Sequence, residues 1–265
     1  MMPQGDIAVL PAFSLAGRLV VVTGASQGLG LLFAQSCARA GAHVLLSSRR
    51  EDKLREAAAG IIAAGGRADI RVSDITSLAQ IKELADHAGM IADRDGLHLV
   101  AVNNAGIAFT KPAFEVNEED FDRVIDVHLK GTFFACQQFG QLMATRGYGK
   151  IINLSSTWSA GSDTGKSIYC AAKAGISHLT SALAVEWAPL GVRVCALAPT
   201  TTLTEATQRS LDASPERAAR LLARIPLGRY SVPEDLIGAL VFLAGATSDF
   251  ITGQTLFVDG GWTAR

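Results

Sequence analysis

The stretch RLVVVTGASQGLGLLFAQSCARAG, Arg18 to Gly41, joins a short β-branched run to a helix through three glycines. Apolar residues crowd Leu19 to Val22, stop at Gly24, and resume at helical spacing after Gly30. A helix that starts where a strand ends aims unpaired backbone N–H groups and the positive end of its dipole at one point. Anions bind there when no side chain blocks the approach. Gly24, Gly28 and Gly30 meet that need, with the spacing Gly-x-x-x-Gly-x-Gly in place of the more familiar Gly-x-Gly-x-x-Gly. Ser26, Gln27 and Leu29 complete the expected nucleotide loop.

The same alternation continues to the end of the chain. AHVLLSS (42–48), ADIRVSD (68–74), LHLVAVNNAG (97–106), GKIINLSS (149–156), VRVCALAP (192–199) and QTLFVDGG (254–261) read as further strands or strand ends. Helical patterns lie between them, among them one long helix from Asn117 to Ala144 with Asn117 and its acidic neighbours at the start. Strands joined by helices of this length require a parallel sheet with helices on both faces. The expected fold is an α/β, single-domain, Rossmann-type, doubly wound, seven-stranded parallel sheet. Residues 1–14 read as an N-terminal arm and 15–265 as the domain. The rhythm breaks at about 200–230, an excursion above the sheet.

Composition narrows the function. Of the 265 residues, 49 % are hydrophobic and 18 % charged, which suits a compact globule. Twenty-four basic against 25 acidic residues leave no net field for nucleic acid or anionic lipid. No apolar run is long enough to span a membrane. Cys37, Cys136, Cys170 and Cys195 are widely separated, and the five histidines show no paired ligand spacing. No metal site is expected, and the location expected is a reducing cytoplasm.

Three segments carry chemistry. The second strand ends in Ser48, Arg49 and Arg50, where an acidic residue would accept hydrogen bonds from the ribose of NAD. Guanidinium groups there favour a 2′-phosphate, hence NADP(H) in preference to NAD(H). In SIYCAAKAG (167–175), Tyr169 and Lys173 stand four apart on one helix face. A Tyr-x-x-x-Lys taken alone is usually a buried tyrosine beside a solvated lysine. Here it follows a nucleotide loop and reads as a proton donor beside a cation that lowers its pKa. Ser155 and Ser156 end the fifth strand, and adjacent strand residues point to opposite faces, so one of them faces the site.

TGASQGLG, NNAG, INLSS, YCAAK and ITGQTLFVDGG, in this order and spacing, resemble the short-chain dehydrogenase/reductase family over nearly the whole chain. The resemblance implies that Tyr169 is the general acid/base and that Lys173 tunes it and holds the nicotinamide ribose. It selects Ser156 to orient the substrate oxygen, places Asn104, Ala105 and Gly106 beside the cofactor, and sets Asp74, followed by Ile75, at the adenine. Two segments depart from the family. His128 stands where asparagine is usual, and a histidine able to titrate near neutral pH is expected to keep a proton-relay role. APTTTLT (198–204) replaces the usual Pro-Gly, leaving Pro199, Thr200, Thr202 and Thr204 as candidate cofactor contacts on a loop of altered shape.

The expected activity is NADP(H)-dependent interconversion of a secondary alcohol and a ketone. The wall TWSAGSDTGKS (157–167) is polar, and FSLAGR (13–18) and FVDGGWTA (257–264) resemble the gluconate 5-dehydrogenase branch, so a sugar acid of the gluconate/5-keto-gluconate type is expected. The alternatives are a 3-oxoacyl thioester (acyl-carrier-protein) reductase and a non-catalytic cofactor-sensing protein. The resemblance also implies a homo-oligomer, a tetramer or a dimer.

Overall fold

A computed structural model describes residues 13–264. The arm expected at residues 1–14 therefore lies almost entirely outside the described residues.

The described residues form seven parallel strands. They are β1 (Arg18–Thr23), β2 (His43–Ser48), β3 (Arg67–Val72), β4 (His98–Asn103), β5 (Gly149–Leu154), β6 (Val192–Pro199) and β7 (Thr255–Val258). They lie in the order β3-β2-β1-β4-β5-β6-β7. The chain winds outward from β1 in one direction, then returns to add β4 on its other side. The register pairs Thr23 with Ser47, Val22 with Val102 and Leu154 with Leu197, so the carboxyl ends of the central strands share one rim. Ligands of such sheets bind at this reversal point, above the carboxyl ends.

Strand periodicity divides the core. Val20, Val22, Val44, Leu46, Val100 and Val102 point into one cluster, under the helices α1 (Gly28–Arg39), α2 (Glu51–Ala63) and α9 (Ile237–Ala244). Leu19, Val21, Leu45, Leu99 and Ala101 point into the other, under α3 (Leu78–Asp95), α5 (Gly131–Ala144) and α6 (Ser167–Trp187). Consecutive residues thus feed opposite faces, which a sheet covered on both sides requires. No helix among the described residues is long and apolar enough to cross a membrane. The four cysteines are free.

Two elements differ from the sequence expectation. The long helix from Asn117 divides into α4 (Glu118–Ile125), a π-helical turn (Asp126–Lys130) and α5. Asn117 caps α4 as expected, its side chain accepting from Asp120 N at 2.8 Å. A π turn inserts an extra residue and is invisible to a 3.6-residue period. The excursion is also more regular than its composition suggests, holding α7 (Glu205–Asp212) and α8 (Pro215–Leu222).

Candidate active site

The rim at the reversal point opens into a cleft of about 540 Å³. Its floor is the loop after β1. Gly24 adopts φ +69° and packs so closely on the loop after β4 that a Cβ would lie 2.9 Å from Ala105 Cα. A Cβ on Gly30 would lie 2.3 Å from the Gly24 carbonyl oxygen. These two glycines let β1, α1 and the Asn104 loop converge, leaving the backbone of the cleft floor bare. Asn104 fixes the convergence: its Nδ2 donates to Thr23 O at 2.9 Å, while Asn104 N and Ala105 N donate to Thr23 Oγ1 at 3.0 and 3.1 Å.

Ser48, Arg49 and Arg50 line the far end of the cleft, with Ser26, Gln27, Asp74 and Ile75. Gln27 has a use that the sequence did not suggest: its Oε1 accepts from Arg50 Nη2 at 2.7 Å and holds that guanidinium across the loop. Arg49 lies 3.9 Å from Asp74. Asp74 Oδ1 also accepts from Thr76 N and Thr76 Oγ1. Bare glycine backbone at a helix start and two arginines with no carboxylate at the end of β2 suit a dinucleotide carrying an extra phosphate.

Thr23, Ser47, Ser73, Arg123 and Val127 also line the cleft, and sequence reasoning missed them. Arg123 and Val127 lie four apart, on one helix face, the single signal that could have flagged them. Only packing of this segment against the rim brings them there.

Beside the cleft, the end of β5 and the start of α6 bring three predicted residues together. The hydrogen bond between the Tyr169 and Ser156 side chains favours ionisation of the phenol. Ser156 Oγ also accepts from Trp158 N at 3.3 Å. Ser155 turns away, its hydroxyl 2.7 Å from Ser177 Oγ. Lys173 is buried, its Nζ 5.6 Å from the Tyr169 ring centre and donating to Leu154 O at 2.6 Å.

The electrostatics run against the sequence expectation. Burial pushes the Tyr169 phenol up to about 12, against which the Ser156 hydrogen bond acts. Burial pulls Lys173 down to about 7. Removing both groups from water costs each its charged form, and this outweighs the ammonium–phenolate attraction that the four-residue spacing suggested. The phenol stays protonated and can donate.

His128 sits in the π-helical turn, 2 % exposed, its ring edge-on to Tyr169 with centres 5.2 Å apart. Nε2 lies 2.9 Å from Ile107 O and 3.2 Å from Ile107 N, whereas Nδ1 is buried with no hydrogen-bond partner among the described residues. Burial, helped by the Lys173 charge, pulls His128 down to about 3. It is neutral at ordinary pH, so the expected titration near neutrality is corrected: a ring shut away from water cannot carry the charge.

The loop after β6 makes mainly local bonds. Thr202 Oγ1 donates to Thr200 O at 3.0 Å, and Thr204 Oγ1 caps α7, accepting from Thr207 N at 3.2 Å. Pro199, Thr200, Thr202 and Thr204 stand outside the lining of the nucleotide cleft; Thr200 borders a smaller cavity of about 170 Å³ with Ile225 and Leu227.

A family model described as enoyl-(acyl carrier protein) reductase matches residues 24–263. The chain belongs to the short-chain dehydrogenase/reductase family. It is 38 % identical to gluconate 5-dehydrogenase of Gluconobacter oxydans (strain 621H), over 95 % of this chain and 96 % of that one. It is 35 % identical to the 3-oxoacyl-[acyl-carrier-protein] reductase of Rickettsia bellii (strain RML369-C), over 93 % and 97 %. A crystal structure of a gluconate 5-dehydrogenase from Burkholderia cenocepacia J2315 in complex with NADP and tartrate superposes with a TM-score of 0.90, at 35 % identity, over 97 % of this chain and 99 % of that one. As a member of the family the chain is an alcohol dehydrogenase/ketoreductase that uses a nicotinamide cofactor.

The neutralised Lys173 makes a stability prediction for the cofactor-free protein. Between about pH 7 and the usual lysine value of 10.5, the unfolded chain holds a proton on this residue that the folded chain does not. Stability from this residue therefore rises with pH across that window. Lys173→Met removes the contribution. Wild type minus variant Tm, by calorimetry from about pH 6.5 to 9.5, should grow with pH; a constant or shrinking difference would mean that the ammonium stays charged.

Proposed function

We propose that the chain is an NADP(H)-dependent oxidoreductase interconverting a secondary alcohol and a ketone on a sugar acid of the gluconate/5-keto-gluconate type. The observation that carries the reaction class is the protonated Tyr169 phenol, bonded to Ser156 beside buried Lys173 at the rim of a glycine-floored cleft. When bound, the cofactor supplies the hydride. Tyr169 gives its phenolic proton to the carbonyl oxygen, and Ser156 donates to the same oxygen to orient it. Lys173 stands next to the phenol, one helical turn along the same face, and would hold the nicotinamide ribose.

Gly24, Ser26, Gln27, Gly28, Leu29 and Gly30 would hold the pyrophosphate, Asp74 and Ile75 the adenine, and Asn104, Ala105 and Gly106 the inner part of the cofactor. Arg49 and Arg50 would take the 2′-phosphate. Loss of one charge-assisted contact lowers affinity by roughly 10- to 100-fold. Arg50→Ala should raise the KM for NADPH by about that much and leave the KM for NADH within about threefold. Equal effects on both cofactors would remove the phosphate assignment.

His128 acts as a positioning residue. Its Nε2 holds the Ile107 backbone, and its edge braces the Tyr169 ring. The relay role suggested by the sequence would fall to a neutral imidazole, through Nδ1.

The sugar-acid substrate is supported by the likeness to gluconate 5-dehydrogenases and by the polar wall from Thr157 to Lys166. Its likeness to the acyl-carrier-protein reductase favours the second reading, a 3-oxoacyl thioester. One assay separates them. NADPH should be consumed with 5-keto-gluconate, and Tyr169→Phe should cut turnover by roughly 10²- to 10⁴-fold. His128→Ala should lose activity that His128→Asn, which keeps a donor and an acceptor for Ile107, regains. Turnover of an acetoacetyl thioester in place of the keto acid would establish the second reading. Binding of NADPH with no carbonyl reduced would leave a cofactor sensor.

We further propose a cytoplasmic homo-oligomer, a tetramer or a dimer. Phe114, Phe121 and Phe133 stand exposed at and near α4 and α5, as do Val185 on α6 and Phe250 before β7. Apolar surface of this extent is normally covered. Light scattering should give at least twice the protomer mass, and a clean monomer would count against it.

A further inference from the structure

We propose that Lys166, backed by Arg217, is an anion subsite that takes the carboxylate of the substrate. The inference rests on the sugar-acid reading above and assigns a specificity role to a residue that the reaction itself does not need.

Lys166 is 9 % exposed and immediately precedes α6, three residues before Tyr169. Its Nζ stands 5.4 Å from the Tyr169 ring centre. It donates to Phe109 O at 2.7 Å. An ammonium has three donors, so two remain for another partner. Phe109 follows Ala108, which lines the nucleotide cleft, so the ammonium bridges the segment leaving the cleft and the residue assigned the proton.

No carboxylate among the described residues comes within ion-pair distance of Lys166. Asp163, the nearest acid in sequence, is engaged elsewhere. Its Oδ1 accepts from Thr164 N at 2.9 Å and lies 3.6 Å from Arg220, while only its backbone carbonyl meets Lys166 N. Among the charged side chains that act on Lys166, a cation outweighs Asp163, whose carboxylate acts favourably but more weakly. Arg217 on α8 acts on it unfavourably, and the Arg217 side chain has Ser210 Oγ, at 3.2 Å, as its hydrogen-bond partner. Burial and this repulsion pull Lys166 down to about 8.

A buried ammonium under the repulsion of a second cation is costly unless an anion compensates it. A carboxylate placed between them would accept from the spare Lys166 donors and from Arg217. In 5-keto-gluconate the carboxylate is four bonds from the ketone carbon, which suits a cation set beside, not on, the proton donor. Were Lys166 only a tether for the Phe109 loop, its loss would weaken every ligand alike, whatever the charge.

The test compares D-gluconate with uncharged D-gluconamide, binding to the NADP complex, by the fluorescence of the tryptophans, of which Trp158 lies in the same wall. Wild type should bind the acid at least about tenfold more tightly than the amide. Lys166→Met should erase that preference, with a loss of about 10- to 100-fold on the acid. Lys166→Arg should keep part of it, and Arg217→Ala, on a partly exposed helix, should lower it without disturbing the buried site. Equal loss on both ligands, or a preference that survives Lys166→Met, would overturn the subsite, as would a wild type that does not prefer the acid. Wild-type turnover of 5-keto-gluconate tests the sugar-acid reading separately. A protein that binds gluconate through Lys166 but reduces another ketone keeps the subsite and loses the reading. One that reduces the keto acid while the variants keep the preference does the reverse.

Discussion

Three backbone segments must meet in the space of one side chain. Gly24 follows β1, Gly30 lies in the first turn of α1, and Asn104 follows β4; a single added carbon at Gly30 would fall 2.3 Å from the Gly24 carbonyl and 2.5 Å from Asn104 Nδ2. This closeness belongs to the sheet topology, because β4 can lie against β1 only where the strand order reverses. Thr23, with Asn104 and Ala105, locks the meeting point with three hydrogen bonds across some 80 residues of sequence. The cleft and the first helix dipole take their places from it, and Ser156, Tyr169 and Lys173 stand beside it.

Desolvation governs the chemistry next to that point. Tyr169, Lys173, Lys166 and His128 are all shifted toward their neutral forms, and burial is the largest cause in each. No acidic residue figures among the causes for Tyr169, Lys173 or His128, and for Lys166 Asp163 is the last and smallest. A protonated phenol among partly discharged cations is an arrangement ready to receive an electron-rich ligand. A carbonyl oxygen gaining negative charge would find donors already in place, with no carboxylate to repel it.

Much of the fold was legible because its signals are local. Alternation along β1, β2 and β4 announces a sheet buried on both faces, and helix-length insertions between strands force a parallel arrangement. The π turn at Asp126–Lys130 was not legible. Its sequence, DVHLK, reads like ordinary helix, and the turn carries His128 against the Ile107 backbone. The two short helices of the excursion escaped for a related reason: their residues are polar, and their order comes from caps such as Thr204 and Pro215 and not from a long apolar stripe.

At the site, the sequence by itself determined which groups are present and which must share a face. Glycines at a strand end, arginines after β2, and Tyr169 and Lys173 one helical turn apart are covalent facts of order and spacing. The tertiary structure alone decided their state. It turned Ser156 toward the phenol and Ser155 away, joined Gln27 to Arg50, set His128 against Ile107, and brought the Arg217 charge to bear on Lys166 across some 50 residues of chain. The reason is physical: spacing fixes direction along one element, whereas proton affinity depends on what surrounds a group from all sides, and burial is a property of the whole fold.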